Sequence, residues 1–424
     1  MPEAINNQGL PALKREKKNI YHLLVLFLIW PFAALLASVK RYRLQSSVWG
    51  VILFCAFYGF TFILASETSD GNRYQARFIE YSEYSAGHII HLLTTLYSEA
   101  AEVTDPVTWV IFFLLSRITS DPVWLFTVFA FVFGFFYGKN IWFLLQFAQN
   151  GINKNAWVYF VGFIMIIPIF QMQGFRMWTA AHIFFFGAIQ VIMFKEKKYL
   201  WFALLAFLFH FSYILPGLVL LGFYFLGRRN SIYIPLLFLS IIIQEVNVEA
   251  FGGFIPYLGR AIEEKFYIYA GEGAAQRLML ADESRSWFLV WENRLLRYML
   301  YALFFYSFLK YGDKLPISHQ RLFSFTVFFM AIVNFVGYLP SLGRFYSVLF
   351  LFALAFLFLF FQHARFKKWH WANLVAAVPV FLMVAIALRR AFGTINAYIF
   401  TSNPFIQVFI ENEQNILQLL RSLI

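Results

Sequence analysis

The sequence predicts an all-α, polytopic integral membrane protein with about 10–12 transmembrane helices, among them a short-helix hairpin, plus interfacial amphipathic helices. Three observations carry this. Of 424 residues, 61% are hydrophobic and only 13% charged, roughly half the charged fraction of soluble domains. Apolar runs of about 18–20 residues recur between short polar stretches, long enough to cross the hydrocarbon core of a bilayer. The runs lack strict apolar–polar alternation, which excludes a membrane β-barrel.

In chain order, a basic segment over 1–20 precedes a single transmembrane domain over 21–403, with spans expected near 21–39, 48–66, 121–147, 155–173, 176–194, 231–250, 289–309, 319–338, 345–363 and 371–389. Residues 199–226 lie between Lys197-Lys198 and Arg228-Arg229, two basic clusters expected on the same, cytoplasmic side. One long helix would separate those clusters. Two short helices meeting near His210-Phe211-Ser212, with Pro216 just beyond, keep them together.

Lys40 to Arg43, Lys310 to Arg321 and Arg365 to Lys368 mark further cytoplasmic loops, and the acid-rich loops near 67–120 and 251–288 fall outside. Lys14, Arg15, Lys17 and Lys18 conflict with this scheme, leaving either a first span that is re-entrant around Pro31 or a local failure of the charge rule. Tyr74, Phe78, Tyr81 and Ser85 share a helical face and predict an amphipathic helix on the outer surface. Residues 404–424 predict a C-terminal amphipathic helix, and 106–118 is apolar but too short to span.

The net charge of +12 comes from basic residues clustered at helix ends, so it reads as membrane topology and not as nucleic-acid binding. The single Cys55 excludes a disulfide framework. No metal or cofactor motif is present, and residues 1–19 are too polar for a cleavable signal peptide.

Four polar groups far apart in sequence converge on the outer side. Arg176 precedes Lys195 by roughly 28 Å of helix, Arg344 precedes Arg365 by roughly 31 Å, and His210 stands about 18 Å above the cytoplasmic basics. Asp70 belongs to the outer acidic loop. Charge on membrane helices marks a protein-lined cavity, and guanidinium forks bind phosphate oxygens bidentately. A carboxylate or imidazole there suits a general base. The plainer readings are headgroup anchoring for Arg176, Arg344, Arg73 and Tyr74, an N-cap for Asp70, a backbone bond for His210, a helix cap for Ser212, and local pairing for Glu292, Arg294 and Arg297.

Several motifs, taken in order, resemble the EpsG-type, Wzy-like polysaccharide polymerases. They are Asp70-Gly-Asn-Arg-Tyr74-Gln-Ala-Arg-Phe78, the pair Asp105-Pro106, the helix start Arg176-Met-Trp-Thr-Ala180, the basic loop from Lys195 leading to His210-Phe-Ser212, and Arg344-Phe-Tyr346. The resemblance covers most of 21–363; the N-terminal segment and the 251–285 loop depart from it. It implies metal-independent, cofactor-free glycosyl transfer outside the bacterial cytoplasmic (inner) membrane, where the hydroxyl of one polyprenyl-pyrophosphate-linked oligosaccharide attacks the anomeric carbon of another. Arg176 and Arg344 would hold the pyrophosphate, and His210 or Asp70 would be the base. Arg73, Tyr74, Ser212 and Tyr346 would line the substrate path. Implied partners are the lipid-linked oligosaccharide, membrane lipid, a chain-length regulator and a flippase. A glycan ligase, a single-sugar glycosyltransferase and a transporter or flippase of lipid-linked sugars are the alternatives.

Overall fold

The computed structural model describes residues 17–64, 69–96, 98, 104–242, 263, 264, 286–337, 342–363, 370–410 and 414–422. Among these the chain is helical apart from loops and one isolated bridge between Asn396 and Asn415. Pro122–Ala148, Trp157–Phe194, Ile317–Val336, Phe345–Gln362 and Trp371–Ala391 are long and apolar enough to cross a membrane. The chain is a multi-pass, all-α membrane protein.

The first expected span is two helices, α1 (Lys17–Ile29) and α2 (Pro31–Lys40), separated at the extended residue Trp30. Pro31 suits the first position of a helix but cannot continue one, because it has no N–H. The two helices form a hairpin. Asn19, near the start of α1, donates to the Ser46 and Ser47 hydroxyls at 3.0 and 3.1 Å, and Arg41, just past α2, donates to Asn19 Oδ1 at 3.2 Å. Both ends therefore lie on one face, which returns Lys18 to the side of Lys40 and Arg43. The first segment is a helical hairpin, the shape that the re-entrant alternative around Pro31 expects; Lys14 and Arg15 lie outside the described residues. At the hairpin tip, Trp30 Nε1 donates to the Phe400 carbonyl at 2.6 Å.

Helix α3 (Val48–Phe60) stops at Thr61, short of the expected 66, and packs closely on α7 (Pro122–Leu145). Between them lie α4 (Asp70–Tyr81), α5 (Ala86–Thr94) and α6 (Pro106–Ser116). The apolar face expected on α4 is present, but it is buried against protein: Tyr74 and Phe78 meet Phe112 edge-on, and Tyr81 stacks on Trp109. Ser69, not Asp70, caps α4, and Ser85 starts α5 as its N-cap.

Helix α8 (Trp157–Ile166) is shorter than expected because Pro168 interrupts it; a 3-10 segment then leads into α9 (Phe175–Phe194). The hairpin expected over 199–226 is formed by α10 (Lys198–Phe209) and α11 (Ile214–Leu226), and the two ends, Lys197 and Arg228, border one cavity. The fit of α10 on α9 depends on Gly187, where a Cβ would lie 2.4 Å from the Ala203 backbone nitrogen.

The remaining helices are α12 (Asn230–Ile242), α13 (Trp287–Tyr311), α14 (Ile317–Val336), α15 (Phe345–Gln362) and α16 (His370–Ala391). Helix α15 is the most enclosed, with buried residues around its whole circumference. In place of one amphipathic helix over 404–424 there are two short ones, α17 (Pro404–Gln407) and α18 (Ile416–Ser422). Asn403 and Asn415 each cap the helix that follows, which divides the apolar period. The 251–285 loop lies outside the described residues except for Glu263 and Glu264.

Candidate functional site

The centre of the site is Asp105, whose carboxylate is wholly buried. It directly precedes Pro106, the first residue of α6, yet it makes no cap to its own helix. Its Oδ2 accepts from Arg176 Nη1 at 2.8 Å, and its Oδ1 accepts from the Phe211 backbone N–H at 2.8 Å and from Thr104 Oγ1 at 3.3 Å. One carboxylate thus joins the start of α6, the first turn of α9 and the tip of the α10–α11 hairpin. Because a buried charge needs both an opposite charge and hydrogen-bond donors, this geometry fixes all three elements together.

Arg176 is a half-buried guanidinium, 32% exposed at the side chain. Its Nε donates to the Tyr74 hydroxyl at 3.2 Å. Two of its five N–H groups are therefore used on Asp105 and Tyr74, and the other three have no hydrogen-bond partner among the described residues. Tyr74 is buried between Phe112 and Phe129. Burial pushes its phenol up from the usual value, with the Arg176 charge acting in the opposite sense, so Tyr74 is neutral at physiological pH. Asp70 lies close enough to influence both Tyr74 and Arg176 electrostatically, and it forms an ion pair with Arg73 one turn on. Arg73 is the more exposed partner, 70% at the side chain.

The hairpin tip is built locally. Pro216 removes the N–H that would bond the Ser212 carbonyl in a continuous helix, and Phe211–Tyr213 forms a 3-10 turn. The cap is His210 and not Ser212: the imidazole Nδ1 accepts the Ser212 backbone N–H at 3.3 Å and lies 2.7 Å from Ser212 Oγ. If Nδ1 accepts both, the ring proton is on Nε2 and the Ser212 hydroxyl donates into the imidazole. Tyr213 ties the tip to α9 by donating to the Met177 carbonyl at 3.1 Å.

Arg344 lies in the turn before α15, exposed, without a hydrogen bond or ion pair to the described residues. It is near the tip through its neighbour Phe345, whose ring meets Tyr213 edge-on at 5.7 Å. Tyr346 faces a second polar cluster. Its hydroxyl donates to Asn334 Oδ1 at 3.2 Å and receives a long contact from Arg297 Nη1 at 3.4 Å. The Arg297 guanidinium carbon lies 4.1 Å from the Tyr346 ring centre, a cation–π distance. Tyr301 also donates to Asn334 Oδ1, at 2.9 Å, and Asn334 donates to Ser240 at 3.2 Å. Arg297 Nε is buried with no hydrogen-bond partner among the described residues.

The structure thus links Arg176, Tyr74 and the His210–Ser212 tip through Asp105, sets Phe345, the neighbour of Arg344, against Tyr213, and leaves the Asp70–Arg73 pair at the surface. Tyr346 belongs to the Arg297 cluster. Two participants exceed the sequence reading. Asp105 is visible in sequence as an acid before a Pro-initiated apolar run, but nothing there shows that its partners lie on α9 and the hairpin. Arg297 is visible as an arginine inside an apolar run; its partner among the described side chains, Tyr346, is on α15, and the Glu292 side chain is not among those described. Among the described residues no three His, Cys, Asp or Glu side chains come together as a metal site. Comparison with known proteins finds no match for the chain among family models, curated proteins or solved structures.

Proposed function

We propose that this protein is a membrane glycosyltransferase that joins polyprenyl-pyrophosphate-linked oligosaccharide repeat units into a polysaccharide on the outer face of the cytoplasmic membrane. The reading rests above all on one observation: Arg176 is fixed by Asp105 directly beside the His210–Ser212 tip. An arginine with three N–H groups unpaired among the described residues suits a pyrophosphate oxygen, and a second guanidinium from Arg344 brings charge that no described acid neutralises.

In this mechanism the free hydroxyl of the acceptor sugar attacks the anomeric carbon of the donor. The new C–O bond forms as the bond to pyrophosphate breaks, and the electron pair leaves on the pyrophosphate oxygen. Arg176 and Arg344 stabilise that developing charge. The acceptor proton passes to Ser212 Oγ while the Ser212 proton passes to His210 Nδ1, a relay that the 2.7 Å contact permits. Asp70, engaged by Arg73, is the weaker candidate base. Pyrophosphate leaves as an anion, so no general acid is required.

The test is reconstitution of the purified full chain in liposomes with a polyprenyl-pyrophosphate-linked oligosaccharide. Glycans of two or more repeats, formed without a second protein and lost in Arg176→Ala, support the proposal. Transbilayer movement of substrate without new glycosidic bonds would replace it with the transporter alternative.

A further inference from the structure

On the face opposite the Asp105 site, three segments far apart in sequence close around a cavity of about 540 Å³. Its rim carries four cations: Lys195 and Lys197 between α9 and α10, Arg228 after α11, and Arg321 on α14. Its floor includes the buried side chains of Ile192 and Phe223. Arg321 is half-buried and, among the described residues, its side chain makes one long bond, to the Met193 carbonyl at 3.4 Å; it is repelled by Arg228. The nearby Glu196 pairs with Lys198 and not with the cavity cations. Among the described residues no carboxylate lines this space.

The backbone at the rim is also unusual. Lys195 adopts a left-handed conformation, φ 60°, at the end of α9. Glycine or asparagine is the usual residue there, since a side chain costs about 1 kcal/mol in that conformation. Lysine at this position adds a cation to a rim that already concentrates like charge. Lys195, Lys197 and Arg228 are exposed and Arg321 is half-buried, so like charge gathered at one opening favours a bound anion, most of all at Arg321.

We propose that this cavity binds the phosphate headgroup of an anionic phospholipid from the leaflet on the basic face. The apolar side of the opening favours a lipid over a soluble anion: Phe225 is 79% exposed next to the cations, and Ile317 borders the same space. Cations at one edge and exposed hydrocarbon at the other match a headgroup with its acyl chains, and basic pockets between membrane helices hold such headgroups elsewhere. The lipid would clamp the α10–α11 hairpin at its base, because α9, α11 and α14 all contribute to the rim. This inference does not depend on the glycosyl-transfer reading.

The test uses the full chain in detergent, stripped of lipid and titrated with phosphatidylglycerol, phosphatidylcholine or inorganic phosphate, with bound lipid counted by native mass spectrometry and unfolding followed by heating. Phosphatidylglycerol is expected to be retained at least tenfold more tightly than phosphatidylcholine and to raise the unfolding temperature. Arg228→Gln combined with Arg321→Gln should abolish that preference. Lys195→Asn suits the left-handed turn and should reduce the preference without unfolding the chain, so the proposal is tested even if the double variant misfolds. Equal retention of the two lipids, or a preference unchanged in Lys195→Asn and in a folded double variant, overturns it. Stabilisation by inorganic phosphate without phosphatidylglycerol selectivity also overturns it, in favour of a soluble anion.

Discussion

Arg176 and Asp105, 71 residues apart in sequence, meet at 2.8 Å through a carboxylate that is wholly buried. Removing the carboxylate leaves the Arg176 charge half-buried and unpaired and the Phe211 N–H without its acceptor. Breaking a buried pair costs about 3–5 kcal/mol, and the 32% exposure of Arg176 puts the expected loss for Asp105→Ala near the lower end. Thermal unfolding of Asp105→Ala, Arg176→Gln and the double variant checks this. The double variant should be less destabilised than the two single losses summed; simple additivity would mean the pair is not coupled.

The α1–α2 hairpin makes a prediction about sidedness. Lys18 and Arg43 are both exposed and lie on the same face, while Thr401 is exposed near the hairpin tip. Cys55, the only cysteine, is buried and should remain unlabelled. In sealed vesicles, a membrane-impermeant thiol reagent should label Lys18→Cys and Arg43→Cys from one side and Thr401→Cys from the other. Labelling of positions 18 and 43 from opposite sides would show that the segment crosses the membrane.

At Gly187 the prediction is steric. A Cβ there would meet backbone atoms of α10, the Ala203 nitrogen at 2.4 Å and the Tyr199 carbonyl at 2.7 Å, and backbone cannot move aside as a side-chain end can. Close approach at small residues is a main source of helix association in membranes. Gly187→Ala should therefore destabilise the protein by about 2–3 kcal/mol, the upper range for overpacking. The unfolding temperature checks this; an unchanged value would mean that α10 shifts freely on α9.

What could be read from the sequence follows the range of each physical signal. Charge cannot easily cross a bilayer, so Lys197 and Arg228 alone were enough to fold 199–226 into a hairpin. The period of Tyr74, Phe78 and Tyr81 reveals a buried face, but a period cannot distinguish lipid from Phe112 and Trp109. The hairpin at Pro31 depends on Asn19 reaching Ser46 and Ser47, a tertiary contact without a local signature. Asp105 is the clearest case: its residue type and position are plain in the sequence, while its partners, Arg176 and Phe211, are set by how α6, α9 and the hairpin pack. Around 404–424 the apolar period is real, but Asn403 and Asn415 divide it by local capping.

Tyr346 is expected to act through Arg297. Its ring and hydroxyl both contact the guanidinium, and its hydroxyl also holds Asn334. Tyr346→Phe keeps the ring contact and loses the hydrogen bonds, at about 1 kcal/mol of stability. With the lipid-linked oligosaccharide as substrate, Arg297→Gln should raise KM more than Tyr346→Phe does. A larger KM effect from Tyr346→Phe would instead mean that the phenol itself touches substrate.

The two candidate bases are separated by what each side chain already holds. Asp70 is paired with Arg73 at the surface, and such exposed pairs contribute about 0–1 kcal/mol. Asp70→Asn should leave both folding and turnover within a few-fold of the unaltered chain. Ser212→Ala keeps the backbone N–H that His210 caps, so it removes the hydroxyl relay with little effect on stability. Positioned proton transfer contributes about 10²–10⁴-fold to a rate, so Ser212→Ala and His210→Gln should each lower kcat by at least tenfold. His210→Gln should also loosen the tip, because it replaces the imidazole that caps the turn. Measuring kcat and unfolding temperature together distinguishes the roles: a loss of kcat in Ser212→Ala at unchanged stability identifies the relay. A large loss in Asp70→Asn with a normal Ser212→Ala would move the base to α4.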